Sequence, residues 1–184
     1  MLARAQTALD ELGGVISRID PAAVEKACET IAAAGRIVLY GCGREGLQMR
    51  GFAMRLHHLG RDVGVQGEMA TPPVGPGDLF IASAGPGELA TVTALMRVAR
   101  EAGAEVLFLT AEPDTPVAGL ATDVLVIPAQ TMARDQGPEA TSVLPMGSVY
   151  EGALFVLFEI IVLDLRDRLG ETPESMRARH TNLE

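Results

Sequence analysis

Arg36-Ile37-Val38-Leu39-Tyr40-Gly41-Cys42-Gly43-Arg44-Glu45-Gly46 is the stretch on which the fold turns. A short β-branched run meets a glycine-rich turn, and Leu47, Phe52, Met54, Leu56 and Leu59 then carry a helix to Gly60. Working outward, the same strand, turn and helix unit recurs. Asp62 to Gln66 reads as a strand, and so does Asp78 to Ser83, which runs into Ala84-Gly85-Pro86-Gly87 before Glu88 opens a helix closing at Gly103. Glu105 to Thr110, a short helix around Val117 to Ala121, and Asp123 to Ile127 complete the series. Such alternation implies an α/β fold, a parallel sheet covered by helices on both faces. Upstream, Leu2 to Ile16 is helical, and Asp20-Pro21 supplies an N-cap and first turn for a second helix that ends at Gly35. Downstream, Ala129 to Leu144 is polar and aperiodic, a candidate lid or binding loop. Ser148 to Leu169 is a long apolar helix stopped by Gly170, and Thr172-Pro173-Glu174 caps a last short helix ending near His180. No repeat or linker interrupts residues 1–184, which read as one domain.

Composition narrows the partners. The 184 residues carry 15 Lys+Arg against 24 Asp+Glu, a net charge of −9, which argues against nucleic acid. Lys26 is the single lysine, so no G-x-x-x-x-G-K-[ST] phosphate loop exists and any anion must be held by a local site. Cys28 and Cys42 are too few for a disulfide scaffold and too far apart for paired metal ligands, and read as reduced thiols of a cytoplasmic protein. Asp10 and Glu11 precede any apolar run, so no signal peptide is expected. The most apolar stretch, Ala153 to Leu163, is interrupted by Glu159 and bracketed by Glu151 and Asp164, too short and too charged for a membrane span. It fits a helix buried in a core or a subunit interface.

In an open parallel sheet, ligands sit beyond the C-terminal strand ends, where loops meet helix N-termini. Two such junctions here, Gly41 to Gly46 and Ala84 to Glu88, are glycine-rich. Gly41-x-Gly43-x-x-Gly46 matches half of a dinucleotide fingerprint, but no acidic residue ends the second strand; Glu68 follows Gly67 in a Pro-rich turn. The adjacent His57 and His58 point about 100° apart on a helix and cannot share one ligand; they read as a surface histidine beside a packed one. His180 is the third histidine, and these spacings do not suggest a metal site. Glu151 lies in the first turn of the apolar helix, where a carboxylate is favoured by the helix terminus but loses solvent on burial. Glu159 better suits a structural or interface charge. No G-x-S-x-G is present.

Taken together, Gly41-Cys42-Gly43-Arg44, Phe52-Ala53-Met54-Arg55-Leu56-His57-His58-Leu59-Gly60, Gly67-Glu68-Met69-Ala70-Thr71-Pro72, Gly77-Asp78-Leu79, Glu112-Pro113-Asp114-Thr115-Pro116, Pro145-Met146-Gly147-Ser148-Val149-Tyr150-Glu151 and Arg179-His180-Thr181-Asn182-Leu183-Glu184 resemble the 6-phospho-3-hexuloisomerase family of sugar isomerase (SIS) domains. The resemblance spans nearly the whole chain. It implies a three-layer α-β-α sandwich with a five-stranded parallel sheet, of flavodoxin-like or Rossmann-like type, and a homotetramer. It also implies a cofactor-independent carbohydrate isomerase, an intramolecular oxidoreductase, that interconverts 3-hexulose 6-phosphate and fructose 6-phosphate through an enediol. Glu151 would be the base, and His180 would reach the site from a neighbouring subunit. Gly41, Gly43, Arg44, Glu45, Arg55, His58, Glu68, Gly85, Gly87, Glu88 and Asn182 are the expected substrate contacts, with no metal. A carboxylate with a pKa raised by burial suits proton transfer at carbon, and a histidine suits transfer between oxygens.

The sequence also departs from that family. Its first loop reads G-x-G-R-S-G and its second S-G-S-G-E-T, whereas this chain has Glu45, Pro86 and Leu89 at three hydroxyl positions and Ala84 at a fourth. Each hydrogen bond to a charged group contributes roughly 1.5–3 kcal/mol, so the phosphate site is expected to be weakened, with Glu45 adding repulsion. Ser83, Thr91, Arg44 and the amides of Gly87 and Glu88 are the remaining donors. Three functions follow: a phosphohexulose isomerase with a rebuilt anion site, an SIS isomerase of a sugar without phosphate there, or a non-catalytic sugar-sensing domain.

Overall fold

A computed structural model describes residues 1–183; Glu184, the last letter of the C-terminal motif, lies outside the described residues. Helices α1 (Leu2–Ile16) and α2 (Pro21–Ala33) precede the sheet, and the Asp20 carboxylate caps α2 by accepting from the Ala22 amide at 2.9 Å. The alternation then runs β1 (Arg36–Gly41), α3 (Gly43–His58), β2 (Asp62–Val65), β3 (Leu79–Ser83), α4 (Ala90–Glu101), β4 (Glu105–Thr110) and β5 (Asp123–Val126), and ends with α5 (Ser148–Leu169) and α6 (Pro173–Ala178).

All five strands are parallel, in the order β2-β1-β3-β4-β5. Central strand β3 is buried at every residue, as two covered faces require. Period-two alternation divides its neighbours. Ile37, Leu39, Leu79, Ile81, Leu107 and Leu109 face a layer built from α2, α3 and α5, with α1 packed on α5. Val38, Phe80, Val106 and Phe108 face Val92, Met96 and Ala99 of α4. The three-layer sandwich is therefore lopsided, with most of its helical mass on one side. Helix α5 buries nine side chains, yet leaves Phe155, Ile160 and Leu163 exposed.

Helix α4 begins at Ala90 and not at Glu88, because Gly87 sits at φ +89° and Leu89 is extended, so the turn consumes two further residues. Residues 129–144 contain two single 3-10 turns and are tied down rather than loose. The Gln130 side-chain Oε1 accepts from the Thr141 and Ser142 amides, and the Glu11 carboxylate of α1 accepts from the Ser142 hydroxyl and the Val143 amide. The C-terminal segment returns to α3 through Arg179, whose guanidinium donates to the His58 carbonyl at 2.8 Å and to both Glu171 oxygens at 2.7 and 2.9 Å.

Candidate functional site

The strand order reverses between β1 and β3, and a crevice opens at such a reversal because the following connections leave in opposite directions. Gly41 and Ser83 are register partners at those two strand ends. Glycine spacing in the first loop answers to packing as much as to ligand. A Cβ on Gly46 would lie 2.5 Å from the Gly41 carbonyl oxygen, and one on Gly41 would lie 3.0 Å from Met49, so the G-x-G-x-x-G pattern lets α3 start against the end of β1.

A cleft of about 360 Å³ occupies this crevice, lined by Arg44, Glu45, Pro86, Leu89, Thr131, Met132, Met146, Tyr150 and Glu151, with Cys42, Gly43 and Gly147 at its edges. Three charged side chains meet in it. Glu151 reaches the cleft from the first turn of α5, positioned by two consecutive left-handed residues, Met146 (φ 56°) and Gly147 (φ 74°). Its side chain is 16% exposed and lies 3.1 Å from Arg44. Burial raises the Glu151 pKa, Arg44 opposes the rise, and the nearby Glu45 adds to it. Arg44 also donates to the Met146 carbonyl and, at 3.1 Å, to the Ser148 hydroxyl, which ties the start of α3 to the start of α5.

Glu45 closes the floor. The Ser83 hydroxyl donates to its Oε2 at 2.6 Å, and the Gly85 amide donates to both oxygens at 3.1 and 3.2 Å. Because Ser83 gives its only proton to Glu45, the fully buried Tyr150 hydroxyl, 3.3 Å away, donates in turn to Ser83. Burial raises the Glu45 pKa against the pull of those two donors, and raises that of Tyr150 well above its ordinary range. Thr131, 3% exposed, borders the same cleft with a buried hydroxyl that has no hydrogen-bond partner, an orphan of the kind ligands satisfy.

The other sequence candidates lie elsewhere. The Gly87 amide donates within its own turn to the Ala84 carbonyl at 2.9 Å, and Glu88 points to solvent. Gly87 is required for space, since a Cβ there would come within 2.8 Å of Glu112 and Thr115. Arg55, His58 and His180 line a separate cleft of about 440 Å³ among α3, α5 and α6, in which Arg55 grips Glu159 through two hydrogen bonds of 3.0 and 3.1 Å. His58 is buried with its ring 5.3 Å from that of His180, whereas His57 is exposed, so the pair divides into a packed and a surface histidine. Glu68 pairs with Arg50, and Asn182 is exposed near the C-terminal end. Within one chain the structure thus brings Arg44, Glu45 and Glu151 together with the two glycine turns, and leaves His180, Arg55, His58, Glu68 and Asn182 outside. Tyr150, Thr131 and Met132 were missed. Tyr150 directly precedes Glu151, but nothing local in the sequence marks Thr131 or Met132. Among the described residues, no three His, Cys, Asp or Glu side chains are placed to hold a metal ion.

Comparison with known proteins agrees with this architecture. Residues 30–155 match the SIS domain family. A 3-hexulose-6-phosphate isomerase of Mycobacterium gastri is 37% identical over 95% of this chain and 87% of its own length, and one of Methylomonas aminofaciens is 36% identical over 96% of both. Among solved structures, a protein described as hypothetical superposes with a TM-score of 0.88 at 27% identity, covering 99% of this chain and 96% of that one. A Methanococcus jannaschii protein, for which a molecular function of 3-hexulose-6-phosphate isomerase was inferred, superposes with a TM-score of 0.83 at 24% identity, covering 96% and 98%.

Proposed function

Because this chain belongs to the SIS domain family, we propose that it is an isomerase interconverting 3-hexulose 6-phosphate and fructose 6-phosphate, with Glu151 as its base. The observation that carries the reading is the seating of Glu151: little exposed, raised in pKa by burial, and directed into the switch-point cleft beside Arg44. A base with a raised pKa is better matched to abstracting a proton from carbon near neutral pH.

The reaction balances within the substrate. Glu151 takes the proton from carbon 2 of the 3-ketose, the electron pair forms the carbon 2 to carbon 3 double bond, and the carbonyl oxygen on carbon 3 takes a proton. The resulting enediol collapses when the hydroxyl on carbon 2 loses its proton and carbon 3 receives one from the Glu151 carboxyl. Carbon 2 is oxidised and carbon 3 reduced, so the chemistry runs on proton transfers alone and calls for no cofactor.

The transfer between oxygens is assigned to His180 of a neighbouring copy in a homotetramer. His180 of the same chain lines a different cleft, which supports a second copy as its source. Exposed Phe155, Ile160 and Leu163 on α5, with Leu47 and Met54 on α3, give such a copy apolar surface to cover. Cys28, buried with its pKa pushed up to about 12, is kept as an inert thiol, in keeping with a cytoplasmic protein.

Incubating the protein with fructose 6-phosphate in heavy water and following carbon 3 by NMR tests the proposal. Deuterium entry at carbon 3 that Glu151→Gln abolishes is expected; a wild type that leaves carbon 3 unlabelled refutes the isomerase, and a fully active Glu151→Gln refutes the base.

A further inference from the structure

We propose that Glu45 is a specificity-determining residue: its carboxylate fills the donor cradle between β1 and β3, so that a neutral sugar hydroxyl enters there and the substrate's phosphate does not. This deepens the isomerase reading and rests on it for the identity of the ligand.

The donors of the two glycine turns are in use. The Ser83 hydroxyl and the Gly85 amide both donate to Glu45, and the Gly87 amide donates to Ala84. Arg44, the one cation lining the cleft among the described residues, donates to Met146 and Ser148 and stands 3.1 Å from Glu151. Pro86, Leu89, Met132 and Met146 line the wall without adding a side-chain N–H or O–H donor, which leaves the unpartnered Thr131 hydroxyl, a single neutral donor, to meet a ligand there.

What Glu45 does offer is acceptor capacity. A carboxylate has about four acceptor positions, and Oε1 receives only the Gly85 amide, at 3.2 Å. A hydroxyl is the group that completes it. The sugar therefore enters with hydroxyls toward Glu45 and its reacting carbons toward Glu151, and the phosphate stays at the mouth, where Arg44 is half exposed.

Inorganic phosphate is the probe, measured by calorimetry and as an inhibitor of fructose 6-phosphate exchange, on wild type, Glu45→Gln and Glu45→Ser. Wild type should show little competition by millimolar phosphate. Glu45→Ser empties the cradle and should bind phosphate at least about tenfold more tightly, since each recovered charge-assisted hydrogen bond is worth about a factor of ten. Glu45→Gln keeps the cradle filled and should stay within about threefold of wild type. A folded Glu45→Ser with no gain overturns the proposal. So does a Glu45→Gln that gains as much as the serine variant, because charge and not occupancy would then exclude the anion. Should the serine variant not fold, tight competitive inhibition of wild type by phosphate overturns the proposal alone, and its absence together with a flat Glu45→Gln response supports it. If wild type turns over no ketose phosphate, the isomerase reading fails while the calorimetric comparison still decides the role of Glu45.

Discussion

Gly46 and Gly51 lie in the same helix, and replacing each by alanine should move stability in opposite directions. At Gly46 the added Cβ would sit 2.5 Å from the Gly41 carbonyl oxygen and 3.3 Å from its carbon, whereas at Gly51 nothing lies within 4 Å. Contacts under 3.0 Å are essentially never seen for real Cβ atoms, so α3 or the end of β1 must retreat by half an ångström. Neither is a flexible side chain: Gly41 is held in register by Ser83, and α3 is locked by buried Met49, Phe52 and Leu56. Overpacking of this kind costs about 1–3 kcal/mol, of which helix propensity returns at most about 1. Gly46→Ala should therefore lose about 1–2 kcal/mol, lowering Tm by about 2–8 °C, while Gly51→Ala gains about 0.5–1 kcal/mol. Thermal denaturation of both variants, side by side, reads the difference. Because the retreat displaces the turn bearing Arg44 and Glu45, Gly46→Ala should also lose turnover, and Gly51→Ala should not. A Gly46→Ala protein as stable as Gly51→Ala would refute the packing explanation of the glycine pattern.

Three further outcomes are expected. Phe158, 3% exposed and stacked on Phe52 with ring centroids 4.2 Å apart, should cost about 3–5 kcal/mol when truncated to alanine, read by urea unfolding; a loss below about 1 kcal/mol would show that the pair is not core. Arg44 holds the Glu151 pKa down against burial, so Arg44→Gln should raise it. Activity that needs ionised Glu151 is lost as pH falls through that pKa, and the acid limb of kcat/KM should shift to higher pH in the variant; an unmoved limb would separate the two groups. Glu11→Ala removes the acceptor of the Ser142 hydroxyl and the Val143 amide, so residues 129–144 should be cleaved faster in limited proteolysis, with α1 itself intact by circular dichroism.

The sheet was legible because each strand carries its own punctuation. Arg36 to Tyr40 ends in Gly41-Cys42-Gly43, and Asp78 to Ser83 ends in Ala84-Gly85-Pro86-Gly87, so hydrophobic period and turn chemistry agree at both junctions. The strand order follows from pairing between residues far apart in the chain, and local pattern carries only its outline. The site was half legible. Glu151 stands out as a carboxylate in an apolar helix, and Glu45 reads as a substrate contact at the first loop, but its capture by Ser83 and Gly85 depends on β3 lying beside β1. For the same reason the sequence suggests that Glu45 repels a ligand without revealing that it occupies the ligand's place. His180 and Arg55 stand in motifs of their own, and no pattern local to either motif says which cleft the folded chain carries it to.

Gly60 and Arg179 make one last point about distance along the chain. A Cβ on Gly60 would come within 3.0 to 3.3 Å of the Arg179 guanidinium, and Gly60 also adopts φ +76°. The residue that turns α3 toward β2 is therefore also the floor on which the mooring of the C-terminal segment rests. A side chain at position 60 would press on the guanidinium and shift it by a few tenths of an ångström against the His58 carbonyl, a displacement passed to His180, the next residue along. The place of His180 beside α3 is tuned by one missing methyl group, 120 residues earlier in the chain.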